Sequence, residues 1–364
     1  MGTPMLLVIL CVISVLLCTV ASAGVSESVG DSSLCATPIY WSGYRNVTLN
    51  VNGDDRVVAL FIPWNDRGKT QQCGSNLTPQ TYCTGPPLDP APLVINWHGC
   101  NAHGPIIDYH TEISQMNHQG ADRNYIIMTP LGTMQPGSVE GNYGWNADGI
   151  PCGSRGTNDF QFFEAMLDFA QESLCVDMNR VYSVGFSTGA FLSYGIACRY
   201  PDRVSGIAAD AGGLSKEYYK ECLNSGSGPV PVQSFHSLAD PTVPYDGNID
   251  WVGQKEMDDL WKKKNGCADD DEGTISYNTS TTVCTYYDCP LAPVEACVLQ
   301  DIDHCWYGGR SGGFQACQPR AGDVDATKKM FDFWEKNNKN TLERLKRRKP
   351  LKTAKIQIPS NINS

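Results

Sequence analysis

The sequence predicts an α/β fold, a mostly parallel sheet with helices on both faces. Two observations carry this. Short apolar runs bounded by turn residues alternate with segments whose apolar residues recur at helical spacing. One of those runs also passes through a tight Gly-x-Ser-x-Gly turn straight into a helical segment, in "RVYSVGFSTGAFLSYG".

The elements follow in order. "MLLVILCVISVLLCTVASAG" is an apolar run ending in a small-residue site, Ala21-Ser22-Ala23. It reads as a signal peptide over 1–23, too short for a membrane span and without a charged flank after it. "NVTLNVNG" and "RVVALFIP" alternate like an antiparallel hairpin turning at "NGDD". "PLVINW" and "YIIMTP" are short apolar runs that read as buried strands. "DFQFFEAMLDFAQESL" places Phe160, Phe163, Leu167, Ala170 and Leu174 at helical spacing, with Thr157 or Asn158 as its cap. Then come strand "RVYSV", helix "STGAFLSYGIACRY" and strands "VSGIAAD" and "VPVQSFHS". Helix "DWVGQKEMDDLWKKKNG", strand "VEACVLQ" and helix "DVDATKKMFDFWEKNN" close the pattern. One domain over 24–338 accounts for all of it.

Composition narrows the partners. A net charge of −11 over 364 residues argues against nucleic-acid binding by the whole surface. Positive charge is concentrated from Lys336 to Lys355, where nine Lys or Arg stand against Glu343 alone. The segment 339–364 is expected to be a basic, disordered tail. No second long apolar segment follows the leader, so the mature chain is expected to be secreted, soluble, monomeric and without a membrane partner. Of 16 cysteines, Cys11 and Cys18 fall in the leader, and the even remainder predicts disulfides. The spacings Cys284-x4-Cys289 and Cys297-x7-Cys305 lack the close pairs of structural zinc sites, and no motif calls for a metal or cofactor. Asn46, Asn76 and Asn278 begin glycosylation triplets.

A serine hydroxyl needs a base to take its proton and donors for the oxyanion it creates. Gly185 and Gly189 flank Ser187 where bulk would block the turn, and the helix behind it aims its first amides at developing negative charge. Six histidines are available as the base. In chain order Ser, acid, His, only His236 and His304 follow the serine, and His236 lies within a strand. His304, in a Gly-rich loop after the last strand, is the expected base. Asp240, where a strand runs into a Pro-containing turn, is the expected acid, ahead of Asp246, Asp250 and Asp210. The amides of Cys100, in "NWHGCNAHG", and of Thr188 are the candidate oxyanion donors. His98 is expected to organise that loop by hydrogen bonding. Trp145, Trp306 and Tyr307 are candidates for stacking on a sugar or a phenolic acid, with packing against loops as the competing reading. Cys305 adjoins His304, so a disulfide to Cys100, Cys152, Cys289, Cys297 or Cys317 would anchor the catalytic loop.

The segments "LVINWHGCNAHG", "GWNADGIPCGS", "NRVYSVGFSTGAFLSYGIACRYPDRVSGIAADAG", "SFHSLADPTVPYDG" and "DHCWYGG" resemble secreted esterases of the polyhydroxybutyrate-depolymerase and feruloyl-esterase type. The resemblance implies the α/β-hydrolase fold, a Ser187–Asp240–His304 triad and an ester substrate, polymeric or small. "DHCWYGG" stands where the family often has a Gly-Gly-His-Ser-Trp-Pro-like loop, and the cysteines far outnumber those of bacterial members; both departures bear on which ester is cleaved. Feruloyl esters on plant or algal polysaccharide are the favoured substrate, and a short-chain polyester is the rival. A serine peptidase or acyltransferase on the same scaffold, or a catalytically silent binding protein, are the alternatives.

Overall fold

A computed structural model describes residues 43–63, 89–100, 115–134, 143–146, 152, 157–309, 317, 320 and 322–338. The expected leader, the expected tail and the Asn76 triplet lie outside these.

The strands are β1 (Gly43–Val51), β2 (Asp54–Ile62), β3 (Ala91–Trp97), β4 (Ile126–Pro130), β5 (Thr133–Met134), β6 (Tyr143–Gly144), β7 (Val176–Phe186), β8 (Gly206–Asp210), β9 (Val232–Ser237), β10 (Thr274–Asn278), β11 (Thr282–Tyr287) and β12 (Val294–Leu299). The helices are α1 (Met116–Arg123), α2 (Asp159–Ser173), α3 (Thr188–Arg199), α4 (Lys216–Asn224), α5 (Gln254–Lys264) and α6 (Ala326–Asn337).

Ten strands form one sheet in the order β1-β2-β4-β3-β7-β8-β9-β12-β11-β10. Neighbours from β4 to β12 run parallel, while the pairs beyond them at each edge are antiparallel. β3 and β7 are the point where strand order reverses, and the crevice above such a point is where open α/β sheets bind ligands.

Strands β3, β4 and β8 are largely apolar on both faces, as expected where helices cover both. Leu93, Ile95 and Trp97 of β3 join one apolar cluster with α2, α3 and α5. Val94, with Tyr182, Val184 and Phe186 of β7, joins the other, which includes Met330, Phe331 and Trp334 of α6. The alternation along each strand therefore divides its side chains between the two layers.

The sequence-predicted elements are present with shifted ends. Asn158, not Thr157, caps α2, its side chain accepting from the Gln161 amide. α5 starts at Gln254 rather than Asp250, because Gly253 is its cap and Glu256 Oε2 accepts from the Gly253 amide at 3.0 Å. Helices α1 and α4 and the β10–β11 hairpin are additions. α4 buries only Tyr218 and Cys222, and β10 is exposed at all but one position, so neither carries the apolar rhythm that reveals an element.

Five disulfides join described residues: Cys100–Cys152, Cys198–Cys222, Cys267–Cys289, Cys284–Cys297 and Cys305–Cys317. Cys284 and Cys297 are direct partners across β11 and β12. All four cysteines weighed as zinc ligands are thus oxidised in pairs.

Candidate active site

β7 delivers Ser187 to the carboxyl edge of the sheet, and α3 begins one residue later. Ser187 has φ 53° and ψ −122°, a left-handed backbone that a side-chain-bearing residue adopts at a cost of roughly 1–3 kcal/mol. Neighbours hold it there. Its amide donates to the Asp210 carbonyl at 2.9 Å, and its carbonyl accepts from the Ala190 amide at 2.9 Å. A Cβ on Gly185 would stand 2.2 Å from Gly189 carbonyl atoms, and one on Gly189 would stand 2.3 Å from the Trp97 oxygen. Only glycine fits at either position.

His304 closes the arrangement. Its Nε2 is 2.8 Å from Ser187 Oγ, and its Nδ1 is 2.7 Å from Asp240 Oδ2. Nδ1 donates to the carboxylate, which leaves the Nε2 lone pair facing the serine hydroxyl. The other Asp240 oxygen accepts from the amides of Thr242 at 2.8 Å and Val243 at 2.9 Å. Burial alone would raise the Asp240 pKa; the bond and charge of His304 and the Val243 amide outweigh it and hold the carboxyl below its ordinary value. Asp210, the rival acid, is pushed well up by burial, and the Tyr307 amide that donates to it at 3.1 Å offsets only part of this. The two carboxyls are thus pushed in opposite directions, Asp240 down and Asp210 up.

The loop after β3 lies against the serine. Its ring buried, His98 receives the Gly132 amide on Nε2 at 3.0 Å and donates from Nδ1 to the Gly99 carbonyl at 2.6 Å. Burial lowers its pKa to about 4, so it is neutral and organises the loop as expected. Cys100 is tied to Cys152, whose backbone bridges to Trp145. The hydroxyl of Thr188 is buried and finds no hydrogen-bond partner among the described residues.

Burial overturns the stacking role expected for Trp145, Trp306 and Tyr307, all 0% exposed. None presents a ring face to a ligand. The Trp145 indole donates to the His98 carbonyl at 2.6 Å, with its ring edge-on to Trp97. The Trp306 indole donates to Thr327 Oγ1 at 2.9 Å, and the Tyr307 hydroxyl accepts from the Ser237 amide at 3.1 Å. The first clamps the loop behind Ser187, and the other two anchor the loop that carries His304. That second loop is also bridged, from Cys305 to Cys317, the last of the partners open at the sequence level.

No protein-family model matches the chain. By fold it is an α/β-hydrolase: the acetyl xylan esterase from Aspergillus awamori superposes with a TM-score of 0.53 at 14% identity, over 81% of this chain and 99% of that one. By sequence it is similar to feruloyl esterases. Probable feruloyl esterase C of Aspergillus terreus is 26% identical over 42% of this chain and 50% of its own length, and feruloyl esterase B of Piromyces equi is 27% identical over 46% and 32%. Feruloyl esterase D of Neurospora crassa is 24% identical over 71% of this chain and 77% of its own length. The chain spans half or less of the length of the first two relatives.

Proposed function

We propose that the chain is a secreted serine esterase that hydrolyses carboxylic esters through an acyl-enzyme on Ser187. The observation that supports this best is the unbroken hydrogen-bonded line Asp240–His304–Ser187. In this reading Ser187 Oγ attacks the ester carbonyl while His304 Nε2 takes its proton. Asp240 holds the ring and stabilises the imidazolium. The amides of Thr188 and Cys100 receive the oxyanion. Collapse expels the alcohol with the proton from His304, leaving an acyl group on Ser187. Water, deprotonated by His304, then releases the acid and restores the hydroxyl.

The relatives named feruloyl esterase favour feruloyl esters as the substrate. The disulfides favour an oxidising, extracellular setting. Asn46 and Asn278 are exposed on the two outermost strands, β1 and β10, where glycans would cover the sheet edges. The test compares methyl ferulate with a hydroxybutyrate oligomer, using wild type and Ser187→Ala. Ferulate release by wild type, reduced about 10³-fold or more in the variant, is expected. Full turnover in Ser187→Ala would end the serine-hydrolase reading, and cleavage of the oligomer alone would replace the substrate.

A further inference from the structure

Behind Asp240 lies a buried histidine that the reaction scheme does not use. His236, on β9, is 2% exposed. Its Nε2 stands 2.7 Å from the Val243 carbonyl oxygen and 3.6 Å from Asp240 Oδ2. On the other side, its Nδ1 lies 3.0 Å from the side-chain amide of Gln254, the first residue of α5. The far end of that amide is 2.8 Å from Asp258 Oδ1, which also accepts from the Ser234 hydroxyl at 2.9 Å.

Hydrogen-bond chemistry fixes where the ring's hydrogen sits. A carbonyl oxygen only accepts, so the contact with Val243 requires a hydrogen on Nε2. Two arrangements then satisfy the rest. With the Gln254 oxygen toward the ring, Nδ1 also carries a hydrogen, the ring is a cation, and Asp258 is ionised. With the amide turned over, its NH2 donates to a bare Nδ1 and its oxygen accepts from protonated Asp258. Both hold the same number of protons. Burial favours the neutral one, lowering the pKa of His236 and raising that of Asp258 to about 6. In either case Nε2 keeps its hydrogen.

That hydrogen matters because of what Val243 does. The Asp240 carboxylate is aimed by the amides of Thr242 and Val243, so its direction is the direction of the 240–243 turn. The turn sits on an irregular loop, whereas β9 is paired on both sides, to β8 and β12. We propose that His236 is a positioning residue for Asp240, its Nε2–H pinning the Asp240–Val243 turn to the sheet. The proposal rests on the serine-hydrolase reading above.

Two substitutions separate this from simple core packing. His236→Asn puts an amide near the place of Nδ1, where it meets Gln254 but cannot reach Val243. His236→Gln puts one near the place of Nε2. The readouts are the rate at which a fluorophosphonate labels Ser187, and kcat and KM on a soluble ester, each at matched folded fraction by near-ultraviolet circular dichroism. Misplacing a catalytic group by about 1 Å costs about 100-fold, so His236→Asn is expected to slow labelling and kcat by about 10- to 100-fold with KM little changed, and His236→Gln to recover most of the loss. Wild type that takes the label while His236→Asn labels at the same rate overturns the proposal alone. Wild type that takes no label overturns the hydrolase reading and this proposal with it. Should His236→Asn fail to fold, nitrogen NMR of the 15N-histidine-labelled wild type decides: a proton on His236 Nε2 supports the proposal, and a bare Nε2 overturns it.

Discussion

Gly99 lies so near Ser187 that a Cβ added to it would stand 3.3 Å from the serine's own Cβ and 2.8 Å from Phe186 Cδ1. The Phe186 ring in turn packs against His304, with centroids 4.9 Å apart. Gly99→Ala therefore pushes on Ser187 and His304 together, the nucleophile and base of the proposed mechanism. We expect kcat to fall by about 10- to 100-fold, from the cost of misplacement alone, with a smaller change in KM. Steady-state kinetics on a soluble ester checks it, and an unchanged kcat would show that the ring yields freely.

Thr188→Val separates stability from activity. The Thr188 hydroxyl is buried without a partner among the described residues, and removing such a group relieves about 1–3 kcal/mol of desolvation cost. The hydroxyl adjoins Ser187, where, under the proposed mechanism, an unpaired donor can serve the oxyanion. The valine variant is expected to melt higher and turn over more slowly, by about 10-fold or more if a donor is lost. A rise in melting temperature with full activity would make the hydroxyl a packing defect.

Acid sensitivity follows from His98. Burial depresses its pKa from 6.5 to about 4. Below pH 6.5 the unfolded chain takes up a proton on this ring that the folded chain refuses until about pH 4. Folding stability therefore falls as pH drops through that window, by about 3 kcal/mol at most for this one group. His98→Gln, which keeps an acceptor for the Gly132 amide, is expected to flatten the decline. Denaturant melts at pH 7 and pH 4.5 measure it, and parallel slopes for both proteins would contradict the assignment.

The Cys305–Cys317 bridge predicts an order of events under reduction. It holds the loop beside His304, and both its cysteines belong to the apolar cluster around α6, while the larger cluster between the sheet and α2, α3 and α5 contains neither. Turnover is expected to fall at a reductant concentration that leaves the near-ultraviolet spectrum intact. Non-reducing peptide maps should recover Cys305 joined to Cys317. A free Cys305 thiol in fully active enzyme would remove the tether from the account.

The parallel core of the sheet and the residues that meet as Ser187, His304 and Asp240 were legible because each left a local mark. Apolar runs ending at Gly or Pro marked β3, β4 and β8, and Gly185 and Gly189 marked the turn that steric crowding allows nothing else to occupy. Chain order narrowed the histidines to His236 and His304, and position at the end of a strand then favoured His304 and Asp240. The supporting shell was hidden because it depends on contacts across the chain. Trp145 is in sequence only a candidate for stacking or for loop packing, and the fold decides it by burying the ring against Trp97, which precedes it by 48 positions. His236 reads as one more strand residue, and only the fold brings Gln254 to its other side. The partner of Cys305 was one of several until the loop closed on Cys317.

The crowding around Gly185 and Gly189 also bears on how descendants of such a chain would diverge. A methyl group at either position collides with backbone, so these glycines are kept by geometry whether or not the serine between them still reacts. His304 and Asp240 are under no such steric compulsion; a lineage that abandoned catalysis could exchange them while the turn persisted. The Gly-x-Ser-x-Gly signature would then survive as a fossil of the architecture. Living enzymes would be told from retired ones at positions 240 and 304, not at the motif that first draws the eye.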